Sequence, residues 1–164
     1  EEEVFIPSNK SYEVLQAELG QLVYVNEHKQ LYLMMNNSIY KIDMNTFTLD
    51  TMVNSDIDDC YAVSKSGRYL AWVEPEHMYA STSLSLEDLK TGSTHKISVD
   101  EGFYVLPIAF IGEDFVYGVA DATEVKTNVF GDVIYPMTKL QILNTSEEKR
   151  DIIKNKLAFD KLKH

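Results

Sequence analysis

Short strand-like segments joined by tight polar turns recur along this chain, and they constrain its fold more than any other feature. The clearest example covers residues 60–74. Within it, Ser66 and Gly67 favour a turn, and the aromatic and apolar run at residues 69–73 suits a strand. Similar pieces precede and follow this stretch. The sequence therefore predicts an all-β protein built from repeated antiparallel sheets.

Three repeat units can be traced, at residues 21–53, 60–99 and 104–153. Each unit has room for four short strands at hairpin spacing. The first two units align directly, because residues 43–46 match residues 88–91 and residues 31–34 match residues 70–73. We therefore expect residues 1–164 to form one domain of four-stranded blade repeats. The chain begins with three glutamates and no methionine, so we expect it to be part of a longer protein.

The segments outside the repeats allow more than one interpretation. Residues 11–19 fit a short helix with Ser11 as its N-cap and Gly20 as its stop, or an outer strand, and the pattern slightly favours the strand. A closing strand of the third unit is predicted at residues 150–153. Residues 155–164 fit either the first strand of a fourth unit or a terminal tail.

Residues 63–72 and 84–92 resemble the repeat of TolB-like β-propellers, a WD-type blade architecture. In that family a Ser-Pro-Asp-Gly turn precedes an apolar strand, whereas this chain has Lys65 and Ser66 in place of proline and aspartate. The resemblance implies a partial or open β-propeller, since closed rings need roughly four to eight blades. It also implies an extracytoplasmic location, at the cell surface or envelope and including lipoproteins, because such domains are often exported.

Charge and composition argue against several classes of function. The formal net charge of -11 disfavours binding to nucleic acid or to anionic lipid, which both require clustered cations. The single cysteine, Cys60, excludes an internal disulfide framework. No apolar run is long enough for direct membrane insertion.

No motif for catalysis or cofactor binding stands out. The chain has no Gly-x-Ser-x-Gly elbow and no glycine-rich phosphate loop, and its histidines are widely spaced: His28, His77, His95 and His164. The acidic pairs Glu87-Asp88 and Glu113-Asp114 are interpreted as surface charge. We therefore expect no catalytic residue, no cofactor and no metal site in this chain.

Two stretches are candidate binding sites. Residues 121–136 form a long connection whose candidate contact residues are Val129, Phe130, Asp132 and Tyr135. Exposed apolar residues in such a loop favour a protein partner or the remainder of the parent chain, and the alternative is an extra hairpin that turns at Gly131-Asp132 and packs on its own blade. In the acidic turn at residues 54–59, Asp56 and Asp58 fit either weak calcium binding or an ordinary turn.

These observations predict a non-catalytic interaction or sensing module of a bacterial extracytoplasmic protein. Two alternatives remain at this point. In the first, the chain is the propeller of a larger hydrolase of the prolyl oligopeptidase class. In the second, it is a domain that binds calcium or another ligand weakly.

Overall fold

The computed structural model describes residues 3–54 and 60–145, together with the backbone of residues 153–158. Half of the chain is in strands, and these form antiparallel four-stranded sheets without a closed barrel. The predicted all-β class and the open blade repeats are confirmed. The helical part consists of one short α-helix and a single 3₁₀ turn at Pro75–His77 within the described ranges.

Three sheets follow one another along the chain. The first sheet contains β1 (Val23–Val25), β2 (Gln30–Met35), β3 (Ser38–Asp43) and β4 (Thr48–Val53). The second contains β5 (Tyr61–Val63), β6 (Tyr69–Trp72), β7 (Ser83–Asp88) and β8 (Ser93–Ser98). The third begins with β9 (Phe103–Ile111) and β10 (Asp114–Asp121), is interrupted by the hairpin β11 (Lys126–Thr127) and β12 (Val133–Ile134), and ends with β13 (Met137–Asn144) and β14 (Ile153–Ala158).

The aligned aspartates of the first two units have the same role in the structure. Asp43 ends β3 and its carboxylate accepts a hydrogen bond from the Asn45 amide at 2.8 Å. Asp88 ends β7 and accepts from the Lys90 amide at 3.1 Å. Each carboxylate thus stabilises the turn into the fourth strand of its sheet.

The preferred strand at residues 11–19 is wrong, because this segment belongs to helix α1 (Tyr12–Gln21). Ser11 is its N-cap, and its hydroxyl accepts from the Val14 amide at 3.4 Å. Gly20 lies inside the helix instead of ending it. No helix within residues 3–54 and 60–145 has the length and apolar character needed to span a membrane.

Glu18 fixes helix α1 to the turn between β2 and β3. Its carboxylate accepts hydrogen bonds from the amides of Asn36 and Asn37 at 2.8 and 2.9 Å, and from Lys10 Nζ. Both asparagines have positive φ angles, as a two-residue hairpin turn requires. Burial raises the pKa of Glu18, but the hydrogen bonds from Lys10, Asn37 and Asn36 outweigh it and hold the pKa below its usual value.

The closing strand of the third sheet lies further along the chain than predicted. It is β14, which begins at Ile153 and pairs with β13 from Asn144 back to Lys139. A strand ending at residue 153 would leave this edge of β13 without hydrogen-bonding partners. Residues 155–158 are therefore part of the third sheet, while residues 150–152 and 159–164 lie outside the described residues.

The sheets stack through one continuous apolar core, and the second sheet lies in the middle. All four residues of β6 are buried, so both of its faces are covered. Tyr69 stacks on Phe110 of the third sheet with ring centroids 6.4 Å apart. Several hydrogen bonds also cross between sheets, among them those from Asn26 Nδ2 to the Leu89 carbonyl and from the Tyr69 hydroxyl to the Thr145 carbonyl, each 2.8 Å long.

Trp72 is buried in this core, as its strand position predicts. We expect Trp72→Ala to lower the free energy of unfolding by about 3 to 5 kcal/mol, because it removes a large ring from a packed interior. Chemical denaturation measures this change. Phe5→Ala is the control, since Phe5 is exposed and its removal should leave the midpoint nearly unchanged. A Trp72→Ala midpoint close to that of the unmodified protein would contradict the packing described here.

The interpretation of Glu87 as surface charge is wrong. Its side chain points between the first and second sheets, beside Tyr32 and Lys41, and the residue is only 5% exposed. Burial raises the pKa of Glu87 to about 7, although the charge of Lys41 partly opposes the rise. The neighbouring Asp88 instead forms a two-point ion pair with Arg68, at 2.9 and 2.8 Å.

Glu87 should make stability depend on pH. Its raised pKa means that the folded state binds the proton of this carboxyl more tightly than the unfolded state does. Protonation of Glu87 therefore stabilises the fold. This contribution to the free energy of unfolding is complete below about pH 4.5 and is lost as the pH rises through about 7. We expect Glu87→Gln to have little effect at pH 4.5 and to stabilise the protein by on the order of 2 kcal/mol at pH 8. Denaturant titrations across this range measure the difference. The exposed Glu101→Gln is the control, and equal effects of Glu87→Gln at both pH values would refute the assignment.

Candidate protein-interaction site

The connections between the second and third strands of the sheets lie at one end of the stack. The Tyr61 hydroxyl, at the start of β5, donates to Gln21 at the end of α1, which brings the first and second sheets together there. Tyr79 packs against Tyr135, with ring centroids 6.0 Å apart, which brings the second and third together. The three connections differ greatly, since they are the two-residue turn at Asn36 and Asn37, the loop 73–82 and the segment 122–136.

The segment 122–136 contains the predicted extra hairpin. Lys126 pairs with Ile134 and Thr127 pairs with Val133. Its base contacts Tyr79 in the loop 73–82 of the second unit, so the hairpin packs against a neighbouring unit as well as against its own. Burial of the Tyr135 hydroxyl raises the pKa of this side chain.

The tip of the hairpin, residues 128–132, is held by two backbone hydrogen bonds and by the side chain of Asn128. Asn128 Oδ1 accepts from the amides of Phe130 and Asp132, each at 2.9 Å, and Asn128 Nδ2 lies 3.3 Å from the Asp132 carboxylate. Gly131 has a φ of 86°, which is a conformation that other residues rarely adopt. These hydrogen bonds favour the backbone conformation that the tip has in the unbound chain.

This tip presents two large apolar side chains to solvent. Val129 is 93% exposed and Phe130 is 85% exposed. The other two predicted contact residues have internal roles, because Asp132 completes the tip and Tyr135 anchors the hairpin base. The structure thus brings the four residues into one hairpin, and it leaves the side chains of Val129 and Phe130 in contact with solvent.

A shallow cleft of about 280 Å³ lies in the neighbouring loop of the second sheet. Trp72, Glu74, His77, Ser81 and Lys96 are among the residues that line it. Its polar groups come from an open loop and from strand edges, and His77 is well exposed to solvent. Such a cleft offers a place for contacts beside the hairpin, and it lacks the enclosed walls of a small-molecule site.

The second candidate site is the acidic turn at residues 54–59. Asp56 and Asp58 lie outside the described residues, so the calcium interpretation stays a prediction. Within residues 3–54 and 60–145, no three His, Cys, Asp or Glu side chains lie together in a group that would hold a metal ion.

Comparison with protein families and with curated protein sequences found no match. Among solved structures, the chain is similar to one described as "Structure of U3-55K", with a TM-score of 0.31 and 9% sequence identity. The similarity covers 84% of this chain and 51% of the other, so the chain spans about half the length of that protein. A TM-score this low carries no argument about fold or function, and the resemblance to TolB-like propellers remains a prediction.

Sequence reasoning did not recognise the role of Asn128. The available signal was an asparagine followed three positions later by glycine, which is typical of a side-chain-capped turn. We expect Asn128→Ala to speed amide hydrogen exchange at Phe130 and Asp132 by about tenfold, because each amide loses its acceptor. Exchange followed by NMR measures this, with Val116 and Tyr117 in the sheet as internal references.

The control for this experiment is Asn9→Ala, which removes an exposed asparagine from the N-terminal arm. It should leave exchange at the hairpin unchanged. Unaltered exchange at Phe130 in Asn128→Ala would show that the tip is ordered by something other than this side chain.

Proposed function

We propose that this chain is a non-catalytic protein-interaction module, and that it binds its partner through the tip of the β11–β12 hairpin. The exposure of Val129 and Phe130 on an ordered tip is the observation that carries the proposal. The free energy falls when a partner covers large apolar side chains that were in contact with water. Aromatic residues are also enriched among those that dominate binding energy at interfaces.

The order of the tip supports this role. A loop that is already in its binding conformation loses less entropy on association than a loose one. Asn128 and Gly131 provide that order, and the contact of Tyr135 with Tyr79 fixes the hairpin to the stack. The hairpin is thus suited to insert its tip into an apolar pocket of another protein.

The negative charge of the chain restricts the charge that the surface of its partner can carry. The net charge of -11 and the exposed carboxylates of Glu124 and Asp132 near the tip disfavour a strongly acidic surface around that pocket. A neutral or basic rim would fit better. The absence of catalysis in this chain and the extracytoplasmic location are part of the proposal, and they rest on the sequence motifs and on the resemblance to exported propellers.

Photo-crosslinking tests the proposal directly. Phe130 is replaced by the photoreactive aromatic benzoylphenylalanine, and the protein is irradiated in an extract of the cells that produce it. We expect a discrete covalent adduct with a partner protein. An excess of unmodified protein should compete for the adduct, whereas Val129→Ser/Phe130→Ser protein should compete at least tenfold less well.

The matched control carries the same photoreactive residue at Phe5, which is exposed to a similar degree on the N-terminal arm. It should give no such adduct. Equal competition by the unmodified and doubly substituted proteins, or the same adducts from both positions, would refute binding through the hairpin tip.

A further inference from the structure

The two terminal sheets each have an apolar face that points away from the core. Among the described residues, four buried apolar side chains lie outside the continuous core that joins the sheets. Leu33 and Ile42 are on the first sheet, and Val116 and Ala120 are on the third. The second sheet has no such residues, because both of its faces are already covered.

On the third sheet, this outer face is apolar across three strands. The side chains of Met137 and Ile108 fill the space over Gly118, which shows that all three residues share one face. Ile142 lies opposite Val116 on the same face, and Ile111 near the end of β9 is 67% exposed. We call this surface the outer face of the third sheet.

The outer face of the first sheet is also apolar. Val23 lies opposite Leu33, and Val25 lies opposite Leu31, so all four side chains are on the face that carries Leu33. Val23 and Val25 are 54% and 52% exposed. On the other side of β2, Tyr40 is opposite Leu33 and extends the same face.

The internal packing shows what covers a face of this kind. The first sheet is stacked on the second, and the second on the third, through apolar faces of four-stranded antiparallel sheets. The first strands of the second and third sheets, β5 and β9, lie against each other at the inner side of the stack. The two outer faces are therefore the apolar faces at the two ends of the three-sheet stack that the described residues form.

We propose that a second copy of this chain covers both outer faces. The third sheet of one copy packs on the first sheet of the other, and the twofold symmetry of the pair repeats this contact on the opposite side. Two copies bring six sheets, which is within the range of roughly four to eight that closes a propeller ring. Both contacts reproduce the sheet-on-sheet packing already present within one chain, and the closed arrangement leaves no apolar end face exposed.

The mass in solution tests this arrangement. Sedimentation velocity and light scattering should give a species of twice the 18.8 kDa of one chain, together with a smaller species on dilution. Ile108→Lys and Val25→Glu should each give monomers, because each places a charge in both copies of the contact. Both side chains are partly exposed in the single chain, so the fold should tolerate them, and circular dichroism with thermal unfolding checks that it does.

Mixing the two variants distinguishes this arrangement from other dimers. A pair made of one Ile108→Lys chain and one Val25→Glu chain has one contact of opposite charges and one unmodified contact, so mixing should restore the dimer. If like faces met instead, with the third sheet of one copy on the third sheet of the other, Val25→Glu alone would remain dimeric and the proposal would fail.

Phe130→Ser separates this inference from the proposed hairpin function. The dimer should persist in this variant, because the tip of the hairpin takes no part in the contact. A monomeric unmodified protein at the highest soluble concentration would overturn the inference, and so would a dimer that is lost in Phe130→Ser. Neither result depends on whether crosslinking through position 130 succeeds.

Discussion

The burial of both faces of the second sheet is the constraint on which the rest of the structure depends. A single four-stranded sheet of roughly 40 residues usually needs further support to fold, because a unit of this size buries little apolar surface. Here β6 supplies apolar contacts in both directions, and Tyr69 reaches Phe110 on the third sheet. The first and third sheets each gain a covered face from this one strand and its neighbours. Loss of the middle sheet would therefore remove the support of both terminal sheets.

Polar contacts give this apolar stack its orientation. Apolar packing has no preferred direction, whereas hydrogen bonds have strict geometry. Asn26 binds the carbonyl of Leu89, and Tyr69 binds that of Thr145, so each sheet is fixed to the turn after the third strand of the next. Glu87 weakens the contact between the first two sheets above neutral pH, because burial disfavours the charged form of its carboxylate. The stack thus combines fixed contacts with one that depends on protonation.

The strands and turns could be predicted from the sequence because alternation and turn residues are local signals. The sequence favoured a strand over a helix at residues 11–19, and this was wrong. Part of what supports helix α1 is invisible to local patterns, because its Glu18 binds Asn36 and Asn37, which are distant in sequence. The burial of Glu87 was missed for a similar reason, since a charged residue in a strand usually faces solvent. In the candidate site, the apolar residues of the hairpin were recognisable. The contact of Tyr135 with Tyr79 was not, because it joins two separate sheets.

The three connections at the end of the stack differ in length, although the sheets that carry them are alike. A two-residue turn, an irregular loop and a hairpin all join the second strand to the third. The core comes mostly from the strands, and of the three connections only the loop 73–82 contributes to it, through Val73 and Met78. The segment 122–136 contributes no residue to this core, so its sequence can be exchanged to redirect recognition while the scaffold stays the same, as antibodies exchange their variable loops.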